Sequence, residues 1–86
     1  MIDGKRVITI LPVLNEEDKI RHIVGKAPRD LVDEMLVVDD CSDDDTASEA
    51  RQGGATVLSN QARVGCGASI RIGIDYALER RYDIIA

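Results

Sequence analysis

Two adjacent carboxylates end an apolar run at Val37-Val38-Asp39-Asp40-Cys41-Ser42. Neighbouring acids repel each other and resist burial, so a pair at a strand end points to a ligand rather than to stability. A second segment, Leu11-Pro12-Val13-Leu14-Asn15-Glu16-Glu17, closes the preceding apolar run with a rigid turn and places a carboxylate at a helix start. A third, Asn60 to Gly67, carries Arg63 and the spaced glycines Gly65 and Gly67, with Arg71 shortly beyond. Carboxylates suit the donors of a base or ribose, or a divalent cation. Arginine and glycine-spaced amides suit phosphate oxygens. Together the three segments fit a nucleoside diphosphate better than a simple anion.

Positioning these groups requires strands that end at one rim. Arg6 to Leu11 is a β-branched run, expected to stop at Pro12, which cannot donate to a ladder. Glu16 to Ala27 carries Ile20, Ile23, Val24 and Ala27 on one helical face, with Asn15 as its expected N-cap and Ala27-Pro28 as its stop. Glu16 and Glu17 also complement that helix's dipole. Met35 to Val38 is continuously apolar, as in a strand buried on both faces. Thr46-Ala47-Ser48-Glu49 has capping-box spacing and opens a second helix that ends at Gly53-Gly54, and Ala55 to Leu58 makes a third strand. Asp43, Asp44 and Asp45 read as turn and cap residues. The longest helix is predicted from Gly67 to Arg81, with Ile70, Ile74, Ala77 and Leu78 as its buried stripe, and Tyr82 to Ala86 begins a fourth strand. The order β-α-β-α-β-α-β implies right-handed crossovers and a mostly parallel sheet, whose carboxyl edge is the usual ligand crevice.

The composition narrows the function classes. With 86 residues the chain makes one small domain, and with no Phe, no Trp and two Tyr its core must be aliphatic. At 44% hydrophobic and 31% charged it is globular, and a net charge of −5 with scattered basic residues argues against nucleic acid as a partner. No apolar run reaches membrane-spanning length, and the N-terminus has no secretory pattern, so a cytoplasmic domain is expected. Cys41 and Cys66 form no CxxC pair and have no neighbouring His, which leaves them as free thiols without zinc. His22 falls off the apolar stripe and reads as exposed. An EF-hand is excluded because the sixth-position glycine and closing Glu are absent. Gly65-Cys66-Gly67 lacks the third glycine of a dinucleotide fingerprint and follows the wrong strand. A phosphoacceptor receiver would carry its acid pair after the first strand, not the second.

Three motifs, Leu11 to Glu17, Val38-Asp39-Asp40-Cys41-Ser42-Asp43-Asp44-Asp45-Thr46, and Asn60-Gln61-Ala62-Arg63-Val64-Gly65-Cys66-Gly67-Ala68 with Arg71 and Gly73, resemble the opening half of family 2 glycosyltransferases. The nearest branch contains dolichol-phosphate mannosyltransferases and bacterial polyprenyl-phosphate sugar transferases. The resemblance runs from about Val7 to Ala86. It implies a glycosyltransferase-A fold, of which this chain would be the Rossmann-like, three-layer, nucleotide-binding α/β half. It also implies that Pro12, Leu14 and Glu16 line the nucleotide pocket, that Val38 and Asp40 hold base and ribose, that Asp39 supports the loop, and that Arg71 lies near the diphosphate. Leu14 stands where the family often has Tyr, and Cys41 where it often has Gly or Asp.

By the same resemblance the reaction is an inverting transfer of a hexose from a UDP- or GDP-sugar to a polyprenyl phosphate or saccharide. Its divalent cation, Mg²⁺ or Mn²⁺, is held by a DxD motif after the fourth strand. Residues 1–86 are therefore read as one nucleotide-sugar-binding domain of a longer enzyme, with no catalytic residue or metal ligand of its own and inactive alone. The longer enzyme is expected at the inner face of a membrane. The rival reading is a non-catalytic α/β module that binds a protein, or self-associates through a truncated sheet.

Overall fold

A computed structural model describes all residues, 1–86. The elements are β1 (Val7–Val13), α1 (Ile20–Gly25), β2 (Glu34–Asp39), α2 (Thr46–Gln52), β3 (Thr56–Ser59), α3 (Cys66–Glu79) and β4 (Ile84–Ile85). The strands form one sheet in the order β3-β2-β1-β4, with every pairing parallel. Each parallel step needs a crossover helix, and the three helices sort by the period-two alternation of the strands. Val37, with Leu11, Val13 and Val57, packs under Ile20 and Val24 of α1 and Ala50 of α2. Ile8, Leu36 and Val38, with Ile10 and Leu58, pack under Ala77 of α3. The result is three layers. Met35 to Val38 are all buried, as the continuous apolar run of β2 requires.

Several local expectations are corrected. Pro12 does not end β1, which continues to Val13. Ile10 donates its N–H to Ala86 O (3.4 Å), so even positions of β1 point toward β4. The donor missing at Pro12 is thus lost on that side only, while Pro12 keeps its register opposite Val38 of β2. Helix α1 has six residues rather than the twelve predicted, because Glu16 to Lys19 form turns, and Ile23 is exposed at 41%. Asn15 does not cap α1, and Lys19 occupies that position with no side-chain cap. Thr46 is the first residue of α2 rather than its cap.

The largest correction concerns α3. Its buried face is Ser69, Gly73 and Ala77, whereas Ile70, Ile74 and Leu78 are exposed. The cause is distance. The sheet face beneath already carries Ile8, Ile10, Leu36, Val38 and Leu58, so only small residues allow the helix to approach. A Cβ added at Gly73 would lie 2.4 Å from Ile10 Cγ2.

At the amino end of the sheet, Glu34 collects the only two aromatic side chains. Tyr76 donates its hydroxyl to Glu34 Oε2 (2.5 Å) and Tyr82 donates to Oε1. Arg6 lies over the Tyr82 ring at 4.2 Å and Arg80 over Tyr76 at 3.7 Å, both in the range of cation–π attraction. Burial pushes the Glu34 carboxyl up, but the hydrogen bonds from Tyr76, Tyr82 and Thr56 outweigh it and leave it below its ordinary value. Burial, then the bond to Glu34 and its charge, push Tyr82 up to about 12. A group raised in the fold stabilises fully below its unfolded value and loses that contribution as pH climbs through its folded one. Tyr82 should therefore stabilise the domain below about pH 10 and cease to do so by about pH 12. Thermal unfolding across this window should fall more steeply with pH for the wild type than for Tyr82→Phe. Parallel curves would refute the linkage.

Candidate functional site

The carboxyl edge of the sheet gathers three loops: 14–19 after β1, 40–45 after β2 and 60–65 after β3. Between them and the start of α3 lies a cavity of about 200 Å³ lined by Pro12, Val13, Leu14, Asp40, Gly65, Cys66 and Ser69. Its walls are part apolar and part polar, as small-ligand sites generally are.

Asp40 is the acid of this cavity, at 7% exposure. Its Oδ1 accepts Val64 N–H (2.8 Å) and Asn60 Nδ2–H (3.1 Å), and its Oδ2 accepts Gly65 N–H (2.9 Å). The Val64 bond above all, then Asn60, overcomes the cost of burial and holds the carboxyl below the usual carboxylate range, helped by Gly65 and the nearby Arg63 charge. A carboxylate offers about four acceptor positions, so three bonds leave one, on Oδ2. Gly65, at φ +96°, takes a conformation that a side chain would strain, and turns the chain directly into α3. Ser69 N–H bonds to Gly65 O, so the amides ahead of it in the first turn have no intrahelical partner.

Asp39 is even less exposed, at 4%, and serves a different purpose. Its carboxylate accepts the Ser42 N–H (3.2 Å) and the Ser42 hydroxyl, and its backbone carbonyl accepts Asn60 N–H (2.8 Å). The first two loops are laced together. Asn15 N–H donates to Ser42 Oγ (2.9 Å), Asp43 N–H to Asn15 Oδ1 (2.9 Å), Glu16 N–H to Thr46 Oγ1 (2.9 Å) and Asp45 N–H to Glu17 Oε2 (3.0 Å). Asp44 accepts both the N–H (3.0 Å) and the hydroxyl of the fully buried Thr46. Of the short acidic run only the Asp44 side chain is used at the helix start, whereas Asp45, at the N-cap of α2, makes no side-chain cap bond. Asn15 and Cys41 sit at φ +53° and +61°, in the left-handed region where Asn is at ease and Cys is strained.

The expected site residues separate into two groups. Pro12, Leu14 and Asp40 meet in the cavity. Val38 does not reach it, because its side chain is wholly buried against α3. Glu16 contributes its backbone N–H to Thr46 and its side chain does not line the cavity. Arg71 is exposed, two residues from both Ser69 and Gly73 and hence on the outer side of α3. The basic residue on the relevant loop is Arg63, in a 2.6 Å ion pair with Asp43 that is open to solvent and correspondingly weak. Cys66 and Ser69 were not anticipated as cavity residues. The Gly65-Cys66-Gly67 run just before a helix was the available signal for Cys66, whereas nothing local marks Ser69. A second, wider depression lies along α1 beside Arg21, His22 and Lys26. It has no apolar wall, and Arg21 is already engaged by Glu49 and Gln52.

No cluster of three His, Cys, Asp or Glu groups able to hold a metal ion is present. Asp40 faces three N–H donors and Asp39 faces Ser42, so neither presents the oxygen cage that Mg²⁺ or Mn²⁺ requires. The residues of this rim do not form a cage that fits a cation. No helix is long and apolar enough to cross a membrane.

Comparison with known proteins agrees with this arrangement. Residues 8–85 match the model of the family described as glycosyl transferase family 2. The undecaprenyl-phosphate mannosyltransferase of Micrococcus luteus is 37% identical over 87 residues, covering 93% of this chain and 35% of the relative. A mycobacterial protein of known crystal structure superposes with a TM-score of 0.81 at 33% identity, over 95% of this chain and 30% of its own. The Mycobacterium tuberculosis glucosyl-3-phosphoglycerate synthase, solved with Mn²⁺, UDP and glucosyl-3-phosphoglycerate, superposes at 0.75 with 31% identity, over 85% of this chain and 30% of its own. The chain thus spans about a third of the length of these relatives. The three-layer parallel architecture is the nucleotide-binding half of the glycosyltransferase-A fold, and by match and by fold the chain belongs to glycosyl transferase family 2.

Proposed function

We propose that this chain is the donor-binding part of an inverting glycosyltransferase and that its cavity receives the nucleotide of a UDP-sugar. The observation that carries the reading is the state of Asp40, a charged acid with one free acceptor position on a half-apolar cavity. Uracil offers one imide N–H to such an acceptor. Guanine presents an N1–H and N2–H pair that calls for both oxygens of a carboxylate, so GDP-sugars are the weaker candidates. Pro12, Val13 and Leu14 supply an apolar edge for the base, although Leu14 cannot stack as a ring would. The unpartnered amides at the start of α3 and the releasable Arg63 suit the diphosphate.

In the intact enzyme an acceptor oxygen, from a polyprenyl phosphate or a saccharide, attacks the anomeric carbon. The bond to UDP breaks with inversion; a saccharide hydroxyl gives its proton to a base, whereas a phosphate oxygen attacks as the anion. On this reading the 86 residues bind the donor, and the Mg²⁺ or Mn²⁺ ligands are supplied by other residues of the intact enzyme. The Mn²⁺ and UDP of the M. tuberculosis relative support the donor class, and the polyprenyl acceptor rests on the M. luteus relative.

The test is titration calorimetry of the chain with UDP, GDP, UDP-glucose and GDP-mannose. UDP binding at least about tenfold tighter than GDP, one hydrogen bond's worth of discrimination, is expected. Absence of binding to every nucleotide would sink the reading. A second reading, a protein-binding or self-associating module, is favoured by the exposed Ile70, Ile74 and Leu78. A concentration-independent monomer in sedimentation would count against it.

A further inference from the structure

Asn60, the first residue after β3, joins the two buried polar side chains that line the cavity, Asp40 and Ser69. Its side-chain amide uses both hydrogens, donating to Asp40 Oδ1 (3.1 Å) and to Ser69 Oγ on α3 (3.1 Å). Its backbone N–H donates to the Asp39 carbonyl (2.8 Å). Both side-chain partners are buried, Asp40 at 7% and Ser69 at 0% exposure, and both line the cavity. One amide group therefore ties the end of β2, the end of β3 and the first turn of α3.

We propose that Asn60 is a positioning residue, which fixes the rotation of the Asp40 carboxylate so that its free Oδ2 acceptor faces the ligand and which sets the start of α3 against the same ligand. The proposal rests on the reading above, in which Asp40 contacts the base. A carboxylate turns easily about its last bond. Val64 and Gly65 hold one oxygen each through backbone amides of the 60–65 loop, and neither of those amides bonds to a second side chain. Asn60 is the only side-chain donor to Asp40, and its second bond anchors that contact to a helix rather than to a loop. The Ser69 bond gives the nucleotide a shared reference frame, because base and diphosphate contacts then come from elements with a fixed separation.

Two substitutions separate positioning from mere packing. Asn60→Ala removes both donors and is expected to weaken UDP binding about tenfold, with the unfolding midpoint reporting any loss of fold. Asn60→Asp keeps the shape but sets a second carboxylate against Asp40. Above about pH 7 the two charges repel, and near pH 5 a shared proton restores a donor to Asp40. UDP-glucose, which lacks the terminal phosphate of UDP that titrates near about pH 6, should thus regain affinity for Asn60→Asp as pH falls, while its binding to the wild type stays flat over the same range. Facing Asp40 in this experiment are Arg63 and Asn60 from the third loop, Cys66 from α3 and the adjacent Asp39, none of which supplies a like recovery to the wild type.

A second measurement needs no nucleotide. Carbon-detected NMR titration of the Asp40 carboxyl should give a higher midpoint in Asn60→Ala, and in Ser69→Ala a smaller rise, since that variant frees the amide without removing it. If the wild type binds no UDP, the donor reading fails, and the NMR titration still decides the positioning role. An unchanged Asp40 midpoint, or UDP affinity within twofold of wild type in Asn60→Ala, would overturn the proposal. Should Asn60→Ala prove unfolded, Ser69→Ala and Asn60→Asp carry the same tests.

Discussion

Asp40→Asn is expected to lower UDP affinity about 100-fold, the scale for removing a hydrogen bond to a charged group. The asparagine oxygen can still accept from Val64 or Gly65, but its NH₂ then points hydrogens at the remaining N–H or at the Asn60 amide. The 60–65 loop loses its anchor as well as the ligand its acceptor. Because the Asp40 carboxyl is held below the ordinary range, it stays charged well into mild acid. The sign follows from the depressed value: its contribution to folding and binding is present above the ordinary carboxylate pKa and fades as pH falls through the lower folded one. Wild-type affinity for UDP-glucose, which has no terminal phosphate to titrate, should therefore be flat from about pH 8 to about pH 5. Calorimetry at both ends of that range checks this, and an Asp40→Asn variant that binds UDP within threefold of wild type would contradict the assignment.

Gly73→Ala should destabilise the domain by about 2 kcal/mol, the scale of overpacking a filled core, and lower its unfolding midpoint by about 10 °C. The added methyl would sit 2.4 Å from Ile10 Cγ2 and 3.2 Å from its Cδ1. Ile10 is β-branched on a strand and cannot swing its Cγ2 aside without changing rotamer. Helix propensity acts in the opposite sense, since Ala outranks Gly by about 1 kcal/mol in a helix interior. The steric term prevails because the nearest atom belongs to a strand held on both sides of the sheet. In an Ile10→Ala background the same substitution should cost little or turn favourable. A double-mutant cycle with no coupling would show that the approach of α3 to β1 is looser than its geometry implies.

These two residues differ in how visible they are in the primary structure. Asp40 stands out, because an acid pair ending an apolar strand is chemically costly and therefore purposeful. Gly73 looks ordinary within a helix. It acquires meaning only because β1 delivers Ile10 beneath it. The same difference explains the misread face of α3. Period alone favours Ile70, Ile74, Ala77 and Leu78 as a stripe, but the sheet's own side chains occupy the space, and close approach selects Ser69, Gly73 and Ala77.

Much of the rim was legible for a similar reason. Pro12, Leu14 and Asp40 lie at the ends of apolar runs, and in a parallel sheet such ends must converge. Val38 and Arg71 lie away from the cavity because a one-residue step along a strand, or two along a helix, reverses the direction of a side chain. Asn60 was passed over because its importance lies in partners twenty and nine residues away.

The alternation of strands and helices, the parallel sheet, the loops that meet at its carboxyl edge and the family to which they belong can all be read from the order of residues. Those follow from local pattern, which water and backbone sterics read residue by residue. Only the folded chain shows which face of α3 is buried, that Asp40 is held by Asn60, Val64 and Gly65, and that Asp39 is engaged by Ser42. Those outcomes depend on close packing and on hydrogen bonds between distant segments, and no local pattern encodes a distance that only the folded chain creates.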